Sequence, residues 1–539
     1  MTLQLYNTRS KAVEPFTAHD PDKVTFYTCG PTVYDDAHIG NFRSFLAADL
    51  LRRFLESPLC EIQDQSKNRH KGPRNITHVM NITDVGHMTD DNAADGAGED
   101  KMDVAKQRLL EAKKSGTLPD NANIDPSDPF AIASFYMGRF LEDARALGLK
   151  VAIEQQTDPT LMPRATEHID GMKGVIAQLL DNNCAYTRGE PESRAIYFDT
   201  QSFADYGQLS GNTLDQLRGG AGGRVDESNQ QSKKHPADFL LWKEDESHTM
   251  KWDAPDHDQC KGWTKGYPGW HIECTAMALE RLVEGGLASA RDTHAHIDIH
   301  SGGEDNIFPH HECEIAQSCC FTGADTFATH WFHPRFLMVE GAKMSKSKGT
   351  FYTPRQLIAQ GIDPAAIRLE LIKTHYRANA DFSMQGLKDS ARTVSRWRAF
   401  LAKAQSAEPG HEDDSILLEV RDALSDDLNI AGAIGAINAW IKRTPEPSKS
   451  DAHALETIDQ ILGVLALAQS ESKESESGIA IYKPGVTPSD EIESLLTQRA
   501  QAKKSKDFAK ADEIRDTLTT MGLAIMDKPQ GKVEVAPLN

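Results

Sequence analysis

The first residues able to do chemistry lie in 26–43, FYTCGPTVYDDAHIGNFR. His38 and Asn41 are three positions apart and close to where a helix would begin, so both side chains fall on one side of its first turn. Unpaired N–H groups and the helix dipole make such a start an anion site, and both side chains can donate to a triphosphate. A second candidate is KMSKSKG at 343–349. Its lysines, spaced by small hydroxyl residues and ended by Gly, make a cationic loop that can wrap departing phosphates without fixing them too tightly. A third is His310 with Glu314, four apart and therefore on one face of a helix. Imidazole together with thiolate selects zinc over magnesium, and a carboxylate can complete the shell. The eight cysteines are Cys29, Cys60, Cys184, Cys260, Cys274, Cys313, Cys319 and Cys320. They form no CxxC pair, so spacing alone leaves each one open as a metal ligand or as a small buried apolar residue. Their irregular spacing in a long chain argues against a disulfide framework.

These groups need a scaffold that brings distant segments together. Val24 to Thr28 read as a buried strand, and Cys29-Gly30-Pro31 breaks it. Asp35 and Asp36 are the expected caps of a helix carrying Phe42, Phe45, Leu46, Leu50 and Leu51. Ile76 to Val85 alternate as a second strand, with Asn81 to Asp84 at its ligand edge. HAHIDIHSGG, 294–303, is a third strand, and 309–320 a helix with Pro309 in its first turn. A strand feeding a helix N-terminus is where α/β sheets bind phosphates.

The expected organisation is as follows. Residues 1–133 are the first half of a Rossmann-type α/β domain, with 1–20 a poorly patterned lead-in, 90–103 an acidic loop and Val104 to Lys113 a helix. Residues 134–262 are an inserted domain with a helix from near Ala165, strands at 193–200 and 238–243, and a polar loop at 208–236. Residues 263–335 are the second half, and 336–392 carry KMSKSKG. Residues 393–470 are a helical bundle with a stripe of Leu428, Ile430, Ile434, Ile437, Trp440 and Ile441. A polar linker, 469–478, leads to a small C-terminal domain, 485–539, with helices at 489–503 and 508–521.

A chain of 539 residues should divide into roughly three to five domains. With 39% hydrophobic and 7% aromatic residues it reads as soluble and globular. No apolar run is long enough to span a membrane, and MTLQLYNTRSKAVEPF lacks a signal-type apolar core, so a cytoplasmic location is expected. No long heptad pattern appears, so a monomer is expected. The net charge of −21 argues against non-specific nucleic-acid binding but permits local basic surfaces. The candidates, 391–403 and 499–510, read equally well as solvated helix faces.

Together, HIGN (38–41) and KMSKS (343–347) resemble the paired signatures of class I aminoacyl-tRNA synthetases. CGPTVYDDAHIGN, PRATEH at 163–168, GWHIECTAM at 269–277 and FPHHECEIAQS at 308–318, in that order, narrow the resemblance to the cysteinyl-tRNA synthetases, from about residue 20 onward. The resemblance implies a Rossmann-like class I catalytic domain with an inserted domain, then an α-helical bundle and a small anticodon-binding domain. It implies that L-cysteine and ATP give cysteinyl-adenylate and pyrophosphate, and that cysteine then passes to the 3′ end of tRNA(Cys). By the same resemblance His38, Gly40, Asn41 and Lys346 bind ATP. Lys343 and Lys346 hold the pyrophosphate, with Lys346 the stronger candidate. Cys29, Thr83 and Trp270 line the amino-acid pocket. Cys29, Cys274, His310 and Glu314 hold one zinc, and magnesium accompanies ATP.

His311 is a competing ligand or a supporting neighbour, and Cys313, Cys319 and Cys320 fall outside the pattern. Many relatives of the class carry a second His where this chain has Asn41, which donates a hydrogen bond but carries no charge. Two other readings stand beside this one. A shorter tRNA-independent ligase joins activated cysteine to an amino-sugar; the segments 393–470 and 485–539 argue against it. A zinc- and nucleotide-binding protein without catalysis is countered by the intact HIGN, KMSKS and zinc positions.

Overall fold

Four short strands pair in parallel, in the order Ala328–Phe332, Ile297–Ser301, Lys23–Thr28, Asn75–Met80. A parallel sheet must be covered on both faces, and alternation along the strands supplies both cores. Val24 and Phe26 pack with the helix Ile39–Glu56, while Tyr27 and Val79 pack with the helices Trp270–Leu282 and Glu312–Thr322. The carboxyl ends of Lys23–Thr28 and Ile297–Ser301 therefore lie side by side, the usual ligand edge of an open sheet. This is the expected α/β, Rossmann-like architecture. The computed structural model describes residues 1–86, 88–90, 97–114, 124–214, 233–344, 350–410, 414–467, 473–475, 478–482, 486, 488–528 and 532–537.

Between the second and third parallel strands the chain builds a five-stranded antiparallel sheet. Its order is Ala185–Arg188, Ala195–Phe198, Phe239–Glu244, Lys265–Pro268, Trp252–Asp253. Helix Trp270–Leu282 packs on this sheet and on the parallel one, so a single core joins the two. The helices Met384–Gln405, Ser415–Ser425, Ile430–Arg443 and Lys449–Leu462 form the bundle. In the expected stripe Leu428, Ile430, Ile437, Trp440 and Ile441 are buried, and Ile434 packs half-buried against them.

Several expectations change. Residues 1–20 are ordered: Gln4–Asn7 pairs with Ala12–Pro15, and Leu3, Leu5 and Phe16 are buried. The strands are four residues each, too short to show a period. The expected loop 90–103 contains the strand Ala97–Asp100 and the start of the helix Lys101–Lys114, and Asp90 ends the strand Met88–Asp90. The boundary at 133/134 falls inside the helix Pro129–Ala146, whose Phe140 stacks on Phe42 with centroids 5.5 Å apart. The boundary at 392/393 likewise falls inside Met384–Gln405. Near Ala165 there is only a short turn, and the helix runs Ile169–Asp181. Arg164 and Thr166 are bound to Asp84 instead, at 2.8 Å from Arg164 Nε and 2.6 Å from Thr166 Oγ1. After a wide turn at Ile307–His311, with Phe308 extended, the next helix starts at Glu312 and not at 309.

Within the expected linker, Lys473–Glu474 is a strand. With Ala480–Tyr482, Val533–Pro537 and Leu523–Asp527 it forms the sheet of the C-terminal domain, which has its own core. The domain therefore begins before 485. Residues 215–232 of the expected 208–236 loop lie outside the described residues.

The bundle is joined to the parallel-sheet domain through a buried charge. Asp49 Oδ2 accepts from Arg368 Nη2 at 2.6 Å and from Arg53 Nε at 2.7 Å, and its Oδ1 accepts from the Lys150 amide at 2.8 Å. Arg368 also donates to the carbonyls of Leu462 and Leu147. Burial opposes ionisation of Asp49, but Arg53 and Arg368 outweigh it and hold the carboxyl well below its ordinary value. Asp49→Asn should cost roughly 3–5 kcal/mol in denaturant unfolding, because it strands a buried guanidinium. With a depressed folded pKa, the Asp49 contribution is complete above the unfolded value of about 3.9 and is lost only as pH falls below it. The substitution should therefore flatten the acid limb of the stability profile.

Candidate active site

A cavity of about 560 Å³ opens at the carboxyl ends of the parallel strands. Its floor is the turn that follows Thr28. The Gly30 amide donates to Asn81 Oδ1 at 2.8 Å. A Cβ on Gly30 would lie 1.8 Å from the Asn81 carbonyl oxygen, so only glycine permits this approach. The Thr83 amide donates to Pro31 O and the Val33 amide to Thr83 O, at 3.0 and 3.1 Å. These bonds hold Thr83 on the cavity wall, where its Oγ1 accepts from Asn81 Nδ2 at 3.1 Å.

The helix that follows is capped by His38, not by the acids before it. His38 Nδ1 accepts from the Asn41 amide at 3.1 Å, and Asn41 Oδ1 accepts from the His38 amide at 3.0 Å. This reciprocal box satisfies two orphan donors. It engages His38 Nδ1 and Asn41 Oδ1. Asp35 instead accepts from Arg108 at 2.6 Å, and Asp36 binds Arg139 in a two-pronged pair at 2.5 and 2.6 Å. His38, Gly40 and Asn41 all line the cavity, as do Met344, the second residue of KMSKS, and Phe351, which follows that stretch. A Cβ on Gly40 would lie 2.4 Å from Met344 Cε. Lys343 ends the short strand Ala342–Lys343, and Lys346 lies outside the described residues.

The thiol, imidazole and carboxylate groups meet at the inner end of the cavity. Cys29, Cys274, His310 and Glu314 are buried, and their ligand atoms lie within 4.8 Å of one another. Cys29 Sγ is 3.6 Å from both Cys274 Sγ and Glu314 Oε1, and His310 Nε2 is 2.9 Å from Glu314 Oε1. A second set, Cys29, His300, His311 and Glu314, satisfies the same criterion. The two differ in access: Cys274 and His310 line the cavity, whereas His300 and His311 do not. His311 Nε2 approaches Cys29 Sγ at 3.3 Å, and its Nδ1 is bonded to His333 Nε2 at 2.7 Å. His300 Nε2 holds Glu314 Oε2 at 2.7 Å. Trp270 lines the cavity and stacks on His310 with centroids 4.2 Å apart.

The buried carboxylate sets the ionisation of its neighbours. Burial opposes the charge on Glu314, but His300 and His310 bring its carboxyl down to about 2. Burial alone would lower His310, yet Glu314 and Cys274 lift it to about 10. Burial raises the Cys29 thiol, reinforced by Cys274. For Cys274 burial is outweighed by the Cys29 hydrogen bond and His310, which bring it to about 7. His311 is held well below its ordinary value by burial and by the surrounding histidines, and so stays neutral. Two thiols, an imidazole and a carboxylate converging in a buried corner are a donor set that fits zinc.

The structure thus gathers His38, Gly40, Asn41, Cys29, Thr83, Trp270, Cys274 and His310 on one cavity, with Glu314 just behind. Sequence reasoning missed Arg108, His300 and Tyr27; Asn81 falls at the expected ligand edge, and its bond to Gly30 is what the structure adds. Tyr27 alone had a legible signal, because it is two residues from Cys29 on a strand and so shares its face. His271 sits behind His310, with Nδ1 atoms 2.9 Å apart, and His87 lies outside the described residues. No helix among the described residues is long and apolar enough to cross a membrane.

Residues 15–392 match the family model for the tRNA synthetases class I (C) catalytic domain, and 488–533 match the cysteinyl-tRNA ligase anticodon binding domain. The chain is 37% identical to the cysteine–tRNA ligase of Salinibacter ruber, over 98% of this chain and 97% of that one. It is 36% identical to that of Chlorobaculum tepidum, over 98% of each. Among solved structures, the LeuRS of Agrobacterium radiobacter K84, in a ternary complex with tRNA and LeuAMS, shares the fold. The TM-score is 0.53 at 12% identity, over 97% of both chains. Fold and catalytic match define a class I aminoacyl-tRNA synthetase, an ATP-dependent ligase. Within that class, the chain belongs to the cysteine–tRNA ligase family.

The two glycines should respond differently to substitution. Gly30→Ala meets backbone and should exceed the roughly 1–3 kcal/mol typical of overpacking. Gly40→Ala meets side chains rather than backbone, the end of Met344 at 2.4 Å and the His38 ring at 2.9 Å, and should cost less. Thermal midpoints of the two variants check the order.

Proposed function

We propose that the chain charges tRNA(Cys) with L-cysteine in two steps. The cysteine carboxylate attacks the α-phosphorus of ATP and pyrophosphate leaves. The terminal ribose hydroxyl of the tRNA then attacks the acyl carbonyl of cysteinyl-adenylate and AMP leaves. Both steps rest on positioning and charge stabilisation. The observation that carries this reading is that Cys29, Cys274 and His310 share one cavity with His38 and Asn41.

Each residue has a task in this scheme. His38 Nε2, Asn41 Nδ2 and the helix N-terminus donate to the triphosphate, which magnesium accompanies. Gly40 lets Met344 approach that helix start. Lys343 and Lys346 hold the pyrophosphate as charge develops on it, Lys346 foremost. Trp270 and Thr83 wall the amino-acid pocket. Cys29, Cys274, His310 and Glu314 hold one zinc, favoured over the set with His300 and His311 because only the former faces the cavity. Bound zinc supplies a preference for a soft thiolate, which separates cysteine from serine where an apolar pocket discriminates poorly.

The bundle and the C-terminal domain bind the tRNA, and the protein acts as a cytoplasmic monomer. The amino-sugar ligase reading is unsupported: the match at 488–533 is to an anticodon-binding domain. The test is cysteine-dependent ATP–pyrophosphate exchange, with serine alongside and metal content determined on the same sample. Exchange with cysteine, none with serine, and about one zinc per chain is the expected result. Bound zinc without exchange would favour a catalysis-lost protein. Exchange without zinc would overturn the selectivity argument.

A second measurement separates the two steps. Removing 473–539, the whole C-terminal domain with its own core, should leave exchange intact and impair tRNA charging. Equal loss of both activities would refute that division.

A further inference from the structure

Tyr27 is fully buried, and its hydroxyl has no hydrogen-bond partner among the described residues. A buried hydroxyl left unpaired costs about 1–3 kcal/mol, and such groups nearly always find a partner. The surroundings narrow what that partner is. Tyr27 and Cys29 project from the same face of one strand, the face covered by the helices that carry Cys274 and Glu314. The Tyr27 ring meets His300 edge-on at 5.3 Å, and His300 holds Glu314.

The polar groups gathered on that face are Cys274, Cys29 and Glu314, whose ligand atoms lie within 4.8 Å of one another. Glu314 is already bonded through Oε2 to His300 and lies 2.9 Å through Oε1 from His310. The Cys29 sulfur is met by His311. Cys274 shares a buried cluster with Tyr27, and the two make no hydrogen bond in the present geometry.

We propose that Tyr27 is a positioning residue of the metal centre, donating its O–H to the Cys274 thiolate when a metal is held there. A thiolate ligand keeps lone pairs directed away from the metal, and a hydroxyl hydrogen rotates to suit its acceptor. The bond fixes the Cys274 side chain at the convergence point and moderates its sulfur as a donor. Partners of this kind orient ligands and tune metal affinity. The assignment rests on the metal reading given under Proposed function.

Tyr27→Phe keeps the ring and removes only the oxygen. Wild type and variant, matched by circular dichroism and thermal midpoint, are loaded with zinc and titrated with a chromogenic chelator. The variant should hold zinc about tenfold more weakly. In the cobalt(II)-substituted proteins the sulfur-to-metal charge-transfer band should move to lower energy in the variant, because a thiolate relieved of a hydrogen bond is a stronger donor. The band decides the matter, since a packing role would weaken retention without moving it. An unmoved band overturns the assignment, with or without weaker retention. A wild type that takes up neither zinc nor cobalt removes the centre itself, and this assignment with it.

Discussion

The structure turns on the burial of one carboxylate. Glu314 is fully enclosed, and an enclosed carboxylate is tolerated only with cations or donors against it. His300 and His310 meet that demand at 2.7 and 2.9 Å. To do so they bring the end of the strand Ile297–Ser301 and the turn Ile307–His311 onto the helix Glu312–Thr322. Cys29 arrives from the neighbouring strand and Cys274 from the helix Trp270–Leu282. Five elements are thereby held at one point, and the cavity is the space left in front of them.

A second set of polar bonds joins the His38 end of that cavity to the rest of the molecule. Arg43, one turn along from His38, is buried and donates to the carbonyls of Arg335, Leu371, His375 and Ala378. Burial without a contacting carboxylate lowers it to about 10, still fully charged near neutrality. It ties the capped helix to the segment on either side of the KMSKS stretch. Asp49 and Arg368 repeat the device two turns further on, against the bundle. Helix, cavity flank and bundle are therefore registered by buried guanidinium groups as well as by apolar packing.

What could be read in the sequence was whatever is decided locally. The strand at Lys23–Thr28, its break at Gly30 and the helix after it follow from period and breakers within a few residues. The bundle stripe was legible for the same reason. The cap was misread because Asp35 and Asp36 are the better caps on local grounds, but Arg108 and Arg139, distant in sequence, engage them. The domain boundaries at 133/134 and 392/393 were misplaced because helices run through them, and composition does not mark that. The candidate metal ligands lie across nearly 300 residues of sequence and converge only through strand order. Family motifs pointed to them where spacing could not. Asn81 falls at the strand end that reads as a ligand edge, whereas His300 acts through contacts made by folding, so nothing nearby distinguishes it.

The strand Lys265–Pro268 pairs within the inserted sheet and, one residue later, the chain enters the helix that carries Trp270 and Cys274. That helix also packs on the parallel strands. The insertion is consequently not a detachable module. It shares an axle with the pocket: the helix that bears on the antiparallel sheet is the one that presents Trp270 and Cys274 to the cavity.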